Sequence, residues 1–380
     1  MLVTPAASGT TCEEIVVNPY PNPTAFLRWL KLHKTKRAID RWLFFPSTKI
    51  LYVKAAQKVL SSRIRADVMR GIRVVLLTCV PSHDLCILGL SLKKDFPGIY
   101  WIVDWQDLWS YDENYFESTP RPYRASLLRL ERRVHASCDL NITTNSHAKA
   151  VLEEHYGVSC DRVVAIPHHF SRDDLMGGGN EDSGSRESNK QEIVRIGFLG
   201  TLFKPPRVPG AIVYEALRDI NKSGVHVELH VHGNFPKYAT KASLTRMRKD
   251  GLWFHGPSTH QESVQRLLQY DFLLLLLADL PNSRAVMSIK LPHYLLIGAP
   301  IIAVVPEPSA VADMIRETGA GYVIPISSDW QARLREILCA GAKSSLLQRN
   351  EDAINAYSWS SLSHRWMKVL NPSRKGYEEY

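Results

Sequence analysis

The chain alternates between short apolar runs, bounded by Gly, Pro, Asn or Asp, and longer stretches whose apolar residues recur at helical spacing. Runs of β-branched residues and leucine read as buried parallel strands, because a strand covered on both faces needs no polar alternation. The first half predicts strands at 14–17, 73–79, 99–103, 140–143 and 163–166. It predicts helices over 49–70, 85–94, 124–137 and 147–156, the last opened by an Asn145-Ser146 cap. The second half predicts strands at 194–199, 225–231, 252–254, 272–277, 301–305 and 321–324. Its helices are predicted over 209–220, 241–249, 260–269, 291–297, 310–318 and 331–338, with a last one over 358–370. Strands alternating with helices build parallel sheets flanked by helices, so the fold class is α/β.

Between the two series lies 171–192, SRDDLMGGGNEDSGSRESNKQE, nearly devoid of apolar residues and carrying three successive glycines. That composition makes a polar linker or exposed loop. The organisation expected is a first domain at 1–170, the linker at 171–192, a second domain at 193–356, and a terminal helix and tail at 357–380. A length of 380 residues suits two domains of ordinary size.

Composition narrows the class. Hydrophobic residues make up 45% of the chain, enough for a proper core. The longest purely apolar run is 272–278, far short of the roughly 20 residues of a membrane-spanning helix. The start, MLVTPAASGTTCEE, has neither the positive nor the apolar region of a secretory signal. Cys12, Cys79, Cys86, Cys138, Cys160 and Cys339 are scattered without a CxxC pair, which fits buried thiols in a reducing cytoplasm and no metal site.

The net charge of +9 is unevenly spread. Residues 28–73 hold thirteen Lys and Arg against only Asp40 and Asp67, beside Trp29, Leu30, Trp42, Leu43, Phe44 and Phe45. Cations mixed with large apolar groups suit an interfacial segment, and the expectation is peripheral association with an anionic membrane surface. No nucleic-acid-binding module motif is present, so no nucleic-acid partner is expected.

Candidate chemistry concentrates at predicted strand ends. In 288–306, SIKLPHYLLIGAPIIAVVP, a polar loop with Ser288 and Lys290 leads into an apolar helix, a Gly-Ala-Pro stop and a strand. A lysine beside a helix N-terminus favours an anionic ligand through both its charge and the helix dipole. In 195–207, RIGFLGTLFKPPR, a strand ends in Gly200-Thr201 and is followed by Lys204 and Arg207. Ligands of open α/β sheets bind at such carboxyl ends. His232-Gly233 and His255-Gly256 recur at further strand ends, so four edges could converge on one crevice.

The ordered set Gly200-Thr201-Leu202, His255-Gly256-Pro257, Asp271 ahead of an apolar strand, Ser288-x-Lys290 and LLIGAP at 295–300 resembles the nucleotide-sugar-binding half of family 4-like glycosyltransferases. In the first half, 79–94, WIVDWQDLW at 101–109, 142–158 and 163–170 are similar to that family's acceptor-side domain, in the subgroup with an Asp-x-x-Asp-x-Trp segment. YSWSSLSHRW at 357–366 is similar to its tail helix. The resemblance implies the GT-B fold: two Rossmann-like domains facing each other across a cleft, with the C-terminal helix crossing back to the first domain.

It also implies a retaining, metal-independent transfer of a sugar from a nucleotide-diphosphate donor to a glycan or lipid-linked acceptor, with no cofactor. The donor-binding candidates are Gly200, Thr201, Lys204, Arg207, Gly233, His255, Gly256, Ser288, Lys290 and His293. Lys290 and Lys204 would neutralise the departing diphosphate, with Arg207 third. Asp104 and Asp107 are the catalytic candidates, able to orient or deprotonate an acceptor hydroxyl, and His83 and Gln106 lie on the acceptor side.

The chain departs from the family pattern at several positions. Its two glutamates eight positions apart fall on Ala285 and His293, its Pro-Asn-Gly turn is Pro167-His168-His169, and a common histidine is Gln106. Residues 2–11 offer one glycine where relatives carry a strand and glycine-rich loop. These departures keep a second expectation in play, a non-catalytic GT-B scaffold or partner subunit of another transferase.

Overall fold

The computed structural model describes residues 17, 20–111, 113–175, 193–204, 208–236, 239–327, 329–340 and 347–371. Ile166–Asn371 forms one compact unit, and the described residues before it form another. The predicted strand at 14–17, apart from Val17, and residues 176–192 of the polar stretch lie outside the described residues.

In the first unit, β1 (Val75–Val80), β2 (Tyr100–Trp105), β3 (Leu140–Thr143) and β4 (Val163–Ala165) form a parallel sheet in sequence order. Helices Asp84–Asp95, Arg121–Ser137 and Ser146–Glu154 connect them, the last capped by Asn145, whose side chain accepts from Ala148 N at 2.8 Å. Helix Ile50–Met69 packs against Asp84–Asp95 through Val53, Ala56, Ile64, Leu88 and Leu92. Gly89 allows that helix to approach the sheet, since a Cβ there would lie 2.2 Å from the Trp101 indole.

The second unit is a six-stranded parallel sheet built from β5 (Val194–Leu199), β8 (Val227–His232), β9 (Leu252–Gly256), β10 (Phe272–Leu276), β11 (Ile301–Val305) and β12 (Gly321–Pro325). Between β5 and β8 a small ribbon pairs β6 (Phe203–Lys204) with β7 (Val208–Pro209). The large sheet runs β12-β11-β10-β5-β8-β9. That order is the doubly wound Rossmann arrangement, whose strand order reverses between β5 and β10.

Side-chain alternation splits the core between the two faces of this sheet. Phe272, Leu274, Leu276, Ile302 and Val304 pack with Val213, Leu217 and Ile220 of helix Gly210–Lys222. Leu273, Leu275, Ile301, Ala303 and Val305 pack on the other face with Leu291, Tyr294 and Leu295 of helix Lys290–Ile297 and with Val311 and Ile315 of helix Ala310–Thr318. Gly298, at φ 86°, ends the former helix in the left-handed conformation that glycine tolerates best. The terminal helix Trp359–Leu370 begins at a backbone pairing in which Trp359 N donates to Phe170 O at 2.9 Å.

The expectation of two parallel, helix-flanked sheets holds, and most predicted elements differ only at their ends. Helix His33–Leu43, whose sequence was read only as a basic and aromatic segment, went unread, as did the short helices Phe26–Trp29, Glu113–Ser118 and Glu351–Asn355 and the β6–β7 ribbon. Four to six residues carry too little periodicity to separate a helical turn from a loop.

Candidate functional site

The second unit's site is built where the strand order reverses. β5 is followed directly by Gly200, whose φ of 111° lies where side chains are strained. Gly200 N donates to His232 O at 2.7 Å, which draws the ends of β5 and β8 together. They come so close that a Cβ on Gly233 would sit 2.2 Å from Gly200 O. Two glycines therefore open a bare backbone edge at the carboxyl end of the sheet.

Helix Lys290–Ile297 is fixed over this edge by one of its own residues. Tyr294 is fully buried, and its hydroxyl accepts from Leu199 N at 3.0 Å. One helical turn earlier, Lys290 lies against Gly200, its Nζ 3.0 Å from where a Cβ on that glycine would stand. The same ammonium lies 4.3 Å from the centroid of the buried Phe198 ring, which holds the cation over the strand end. Ser288 Oγ accepts from Lys290 N at 3.4 Å. The result is a lysine at a helix N-terminus beside a glycine strand end, at the switch point where doubly wound sheets bind ligands.

The other donor-side candidates distribute as follows. Thr201 follows Gly200, and the buried Leu202 anchors the loop, with its carbonyl 2.4 Å from where a Cβ on Gly210 would fall. Lys204 belongs to the β6–β7 ribbon, while Arg207 lies outside the described residues. Gly256 closes β9, one strand beyond Gly233, where a Cβ would stand 3.3 Å from the Phe235 ring. His293 is turned toward another partner set. Its Nδ1 is 3.2 Å from Ile289 O and its Nε2 3.6 Å from Asp174 in the short helix Arg172–Leu175. Ala285 is buried. Asp271, at the opposite end of the sheet, accepts from Arg195 N at 2.8 Å and ties β10 to β5.

His232 and His255 belong to a ladder that sequence reading caught only in part. His255 stacks on His232 at 4.6 Å between ring centroids, and its Nε2 is 2.9 Å from His230 Nδ1. His230 in turn meets Glu228 at 3.2 Å, and His232 Nε2 meets the Tyr270 hydroxyl at 2.7 Å. Burial, reinforced for His232 and His255 by neighbouring histidines and Arg266, lowers all three from their usual value, His232 to about 4. The ladder is neutral at pH 7, so Lys290 supplies cationic charge that these histidines do not. Glu228, His230 and His232 stand at i, i+2 and i+4, the strand spacing that puts them on one face and the signal that would have found His230.

In the first unit, Asp104 lies near the end of β2, opposite Cys79 of β1. Burial raises its carboxyl to about 6, against the opposing effect of Gln106, whose Nε2 donates to both carboxylate oxygens at 2.8 and 2.7 Å. Burial, followed by the Asp104 charge, pushes the Cys79 thiol up to about 12. His83 is buried and stacks on Trp109 at 4.9 Å, with its Nε2 3.4 Å from the carbonyl of Asp107. It therefore sits beside the loop that follows β2.

Two buried groups beneath this loop were not candidates from sequence. Glu131 accepts from Ser110 N through both oxygens, at 3.2 and 3.1 Å, and burial raises its carboxyl to about 7. His135 Nδ1 lies 2.9 Å from Asn141 Oδ1, which also accepts from Trp105 Nε1 at 2.9 Å. Glu131 sits in a helix rich in arginine, where nothing in the sequence marks it as buried.

No protein-family model and no curated protein matches the sequence. Solved structures match it over most of its length. Sucrose-phosphate synthase from Thermosynechococcus elongatus is similar at 12% identity and a TM-score of 0.58, over 84% of this chain and 76% of that one. Anabaena HepE in complex with UDP and glucose is similar at 10% identity and a TM-score of 0.56, over 78% of each chain. The lipopolysaccharide outer core galactosyltransferase WaaB is similar at 12% identity and a TM-score of 0.53, over 90% of this chain and 81% of that one. At these identities the likeness shows the fold: the two Rossmann-like units have the GT-B architecture of these glycosyltransferases.

Proposed function

We propose that the chain is a family 4-like glycosyltransferase that moves a sugar from a nucleotide-diphosphate donor to a glycan or lipid-linked acceptor. The observation that carries this reading is Lys290, held against Gly200 at the switch point of the Rossmann sheet. As the bond from the anomeric carbon to the diphosphate oxygen breaks, negative charge grows on the leaving group. An ammonium and a helix N-terminus beside a glycine strand end stabilise such charge without reorganising. In this reading no divalent ion or cofactor takes part, and the sugar keeps its anomeric configuration.

The acceptor oxygen forms the new bond and must lose its proton. Asp104, with a carboxyl near 6, is ionised at neutral pH yet basic enough to take part in that transfer, with Gln106 orienting it and Asp107 next along the loop. The neighbour crystallised with UDP and glucose makes uridine sugars the first donors to test.

A second reading, the non-catalytic scaffold, draws on Ala285 and on the engagement of His293 with Asp174 rather than a glutamate at that position. Purified full-length chain incubated with a panel of nucleotide sugars and lipid-linked acceptors separates the two. The transferase reading expects nucleoside-diphosphate release that depends on acceptor and falls at least about tenfold in Lys290→Ala, the loss of one charge-assisted contact. Release from no donor, or equal rates in the variant, sinks it.

A further inference from the structure

Among the described residues, exposed large apolar side chains are concentrated early in the chain: eleven of seventeen lie between Tyr20 and Ile72. Helix His33–Leu43 is the extreme case, with no buried residue. At about 100° per residue, Thr35, Ala38, Ile39, Trp42 and Leu43 fall on one arc, and His33, Lys34, Arg37 and Arg41 on the other. Trp42 is 55% exposed and Leu43 63%, and the helix and turn just before them leave Phe26, Trp29, Leu30 and Leu32 exposed, Trp29 at 84%.

The element is nonetheless firmly attached to the first unit. Tyr123 Oη donates to Trp42 O at 2.7 Å, and the Tyr123 ring lies 6.1 Å from Trp42 and 5.4 Å from Phe45. Lys36 pairs with Asp40, which also accepts from Thr24. A solvent-exposed apolar arc on an anchored helix needs an occupant.

Charge identifies it. Of the two acids among residues 28–73, Asp40 is neutralised by Lys36, and Asp67 meets Arg63 at 3.2 Å. Helix Arg121–Ser137, to which the segment is tied, adds exposed Arg121, Arg129, Arg132 and Arg133. A second copy of the same face would bring like charges together. A nucleic acid would use the cations and leave the tryptophan and leucine side chains in water. A bilayer with anionic headgroups satisfies both sets at once, with cations at the phosphates and the apolar arc at the acyl boundary.

We propose that residues 26–43 form the docking surface of this protein for an anionic lipid bilayer. The helix lies in the plane of the headgroups and inserts Trp42 and Leu43, with Trp29 and Leu30 contributing from the preceding helix and turn. This goes beyond the donor reading, because nothing in it requires that nucleotide bind.

The test is flotation of the full chain with phosphatidylcholine vesicles, with and without about 30 mol% phosphatidylglycerol, at low and high salt. The expected result is binding at least about tenfold tighter to the anionic vesicles, weakened by salt. Lys34→Glu/Arg37→Glu/Arg41→Glu removes the preference for anionic lipid, and Trp29→Ser/Trp42→Ser/Leu43→Ser weakens binding even at low salt. All six positions are exposed, and an unchanged unfolding temperature verifies that each variant folds. Equal binding to neutral and anionic vesicles, or binding untouched by either variant, overturns the proposal. So does a dimer lost in the serine variant, or tighter association with DNA or RNA lost in the glutamate variant. UDP affinity is expected to be the same in both variants, so failure here is distinguishable from failure of the donor site.

Discussion

Position 233 has no room for a side chain, and the reason lies across the strand boundary. A Cβ there would meet the carbonyl, C and Cα of Gly200 at 2.2, 2.6 and 2.9 Å, all backbone atoms that cannot rotate away. Gly233→Ala must therefore push β5 and β8 apart at the edge where Lys290 is placed. Overpacking of this kind costs about 1–3 kcal/mol. We expect a lower unfolding temperature together with weakened nucleotide binding, measured by thermal denaturation with and without UDP. Unchanged stability would mean that the glycine edge is not close-packed. Both glycines were legible as strand-end residues, but their mutual contact was not, because no spacing in the sequence reports which strands are neighbours.

Among the elements, the loop after β2 is held from below by helix Arg121–Ser137. Glu131 accepts the Ser110 amide, and Ser110 Oγ meets the Tyr156 hydroxyl at 2.8 Å. Burial raises the Glu131 carboxyl from 4.5 to about 7, so the folded state favours its protonated form. Its ionisation therefore costs stability as pH rises from about 4.5 to about 7, and the cost is complete above 7. Glu131→Gln escapes this. Its unfolding free energy relative to wild type should climb over that window by on the order of 3 kcal/mol and then level off, as read by denaturant titrations at several pH values. A flat difference would place the carboxyl in ordinary solvent. A lone glutamate among arginines carries no mark of burial in the sequence. The same limit hid His135 and Asn141, whereas the Asn145 cap was legible because it acts on its own helix.

At the scale of the whole molecule, two parallel sheets follow from the alternation of apolar runs with helical stretches, and the sequence shows that alternation plainly. The strand order does not follow from it. The reversal between β5 and β10 brings Gly200 and Lys290, ninety positions apart, to one edge, and a chain pattern has no register for such a meeting. Local chemistry supplied the rest: a lysine ahead of an apolar helix is an anion site wherever the helix N-terminus meets a strand's carboxyl end. The basic segment was likewise legible as charge, while its exposed apolar arc needed the helix to be seen in place.

In the proposed transferase, Lys290 and the glycine edge bind a nucleoside diphosphate. Calorimetric titration of the full chain with UDP, GDP and ADP, in wild type and Lys290→Ala, tests it directly. At least one of them is expected to bind wild type with one-to-one stoichiometry. The variant, with an unchanged unfolding temperature, is expected to bind about 10- to 100-fold more weakly, the worth of one charge-assisted hydrogen bond. No binding by any of the three, or equal affinity in the variant, would contradict it.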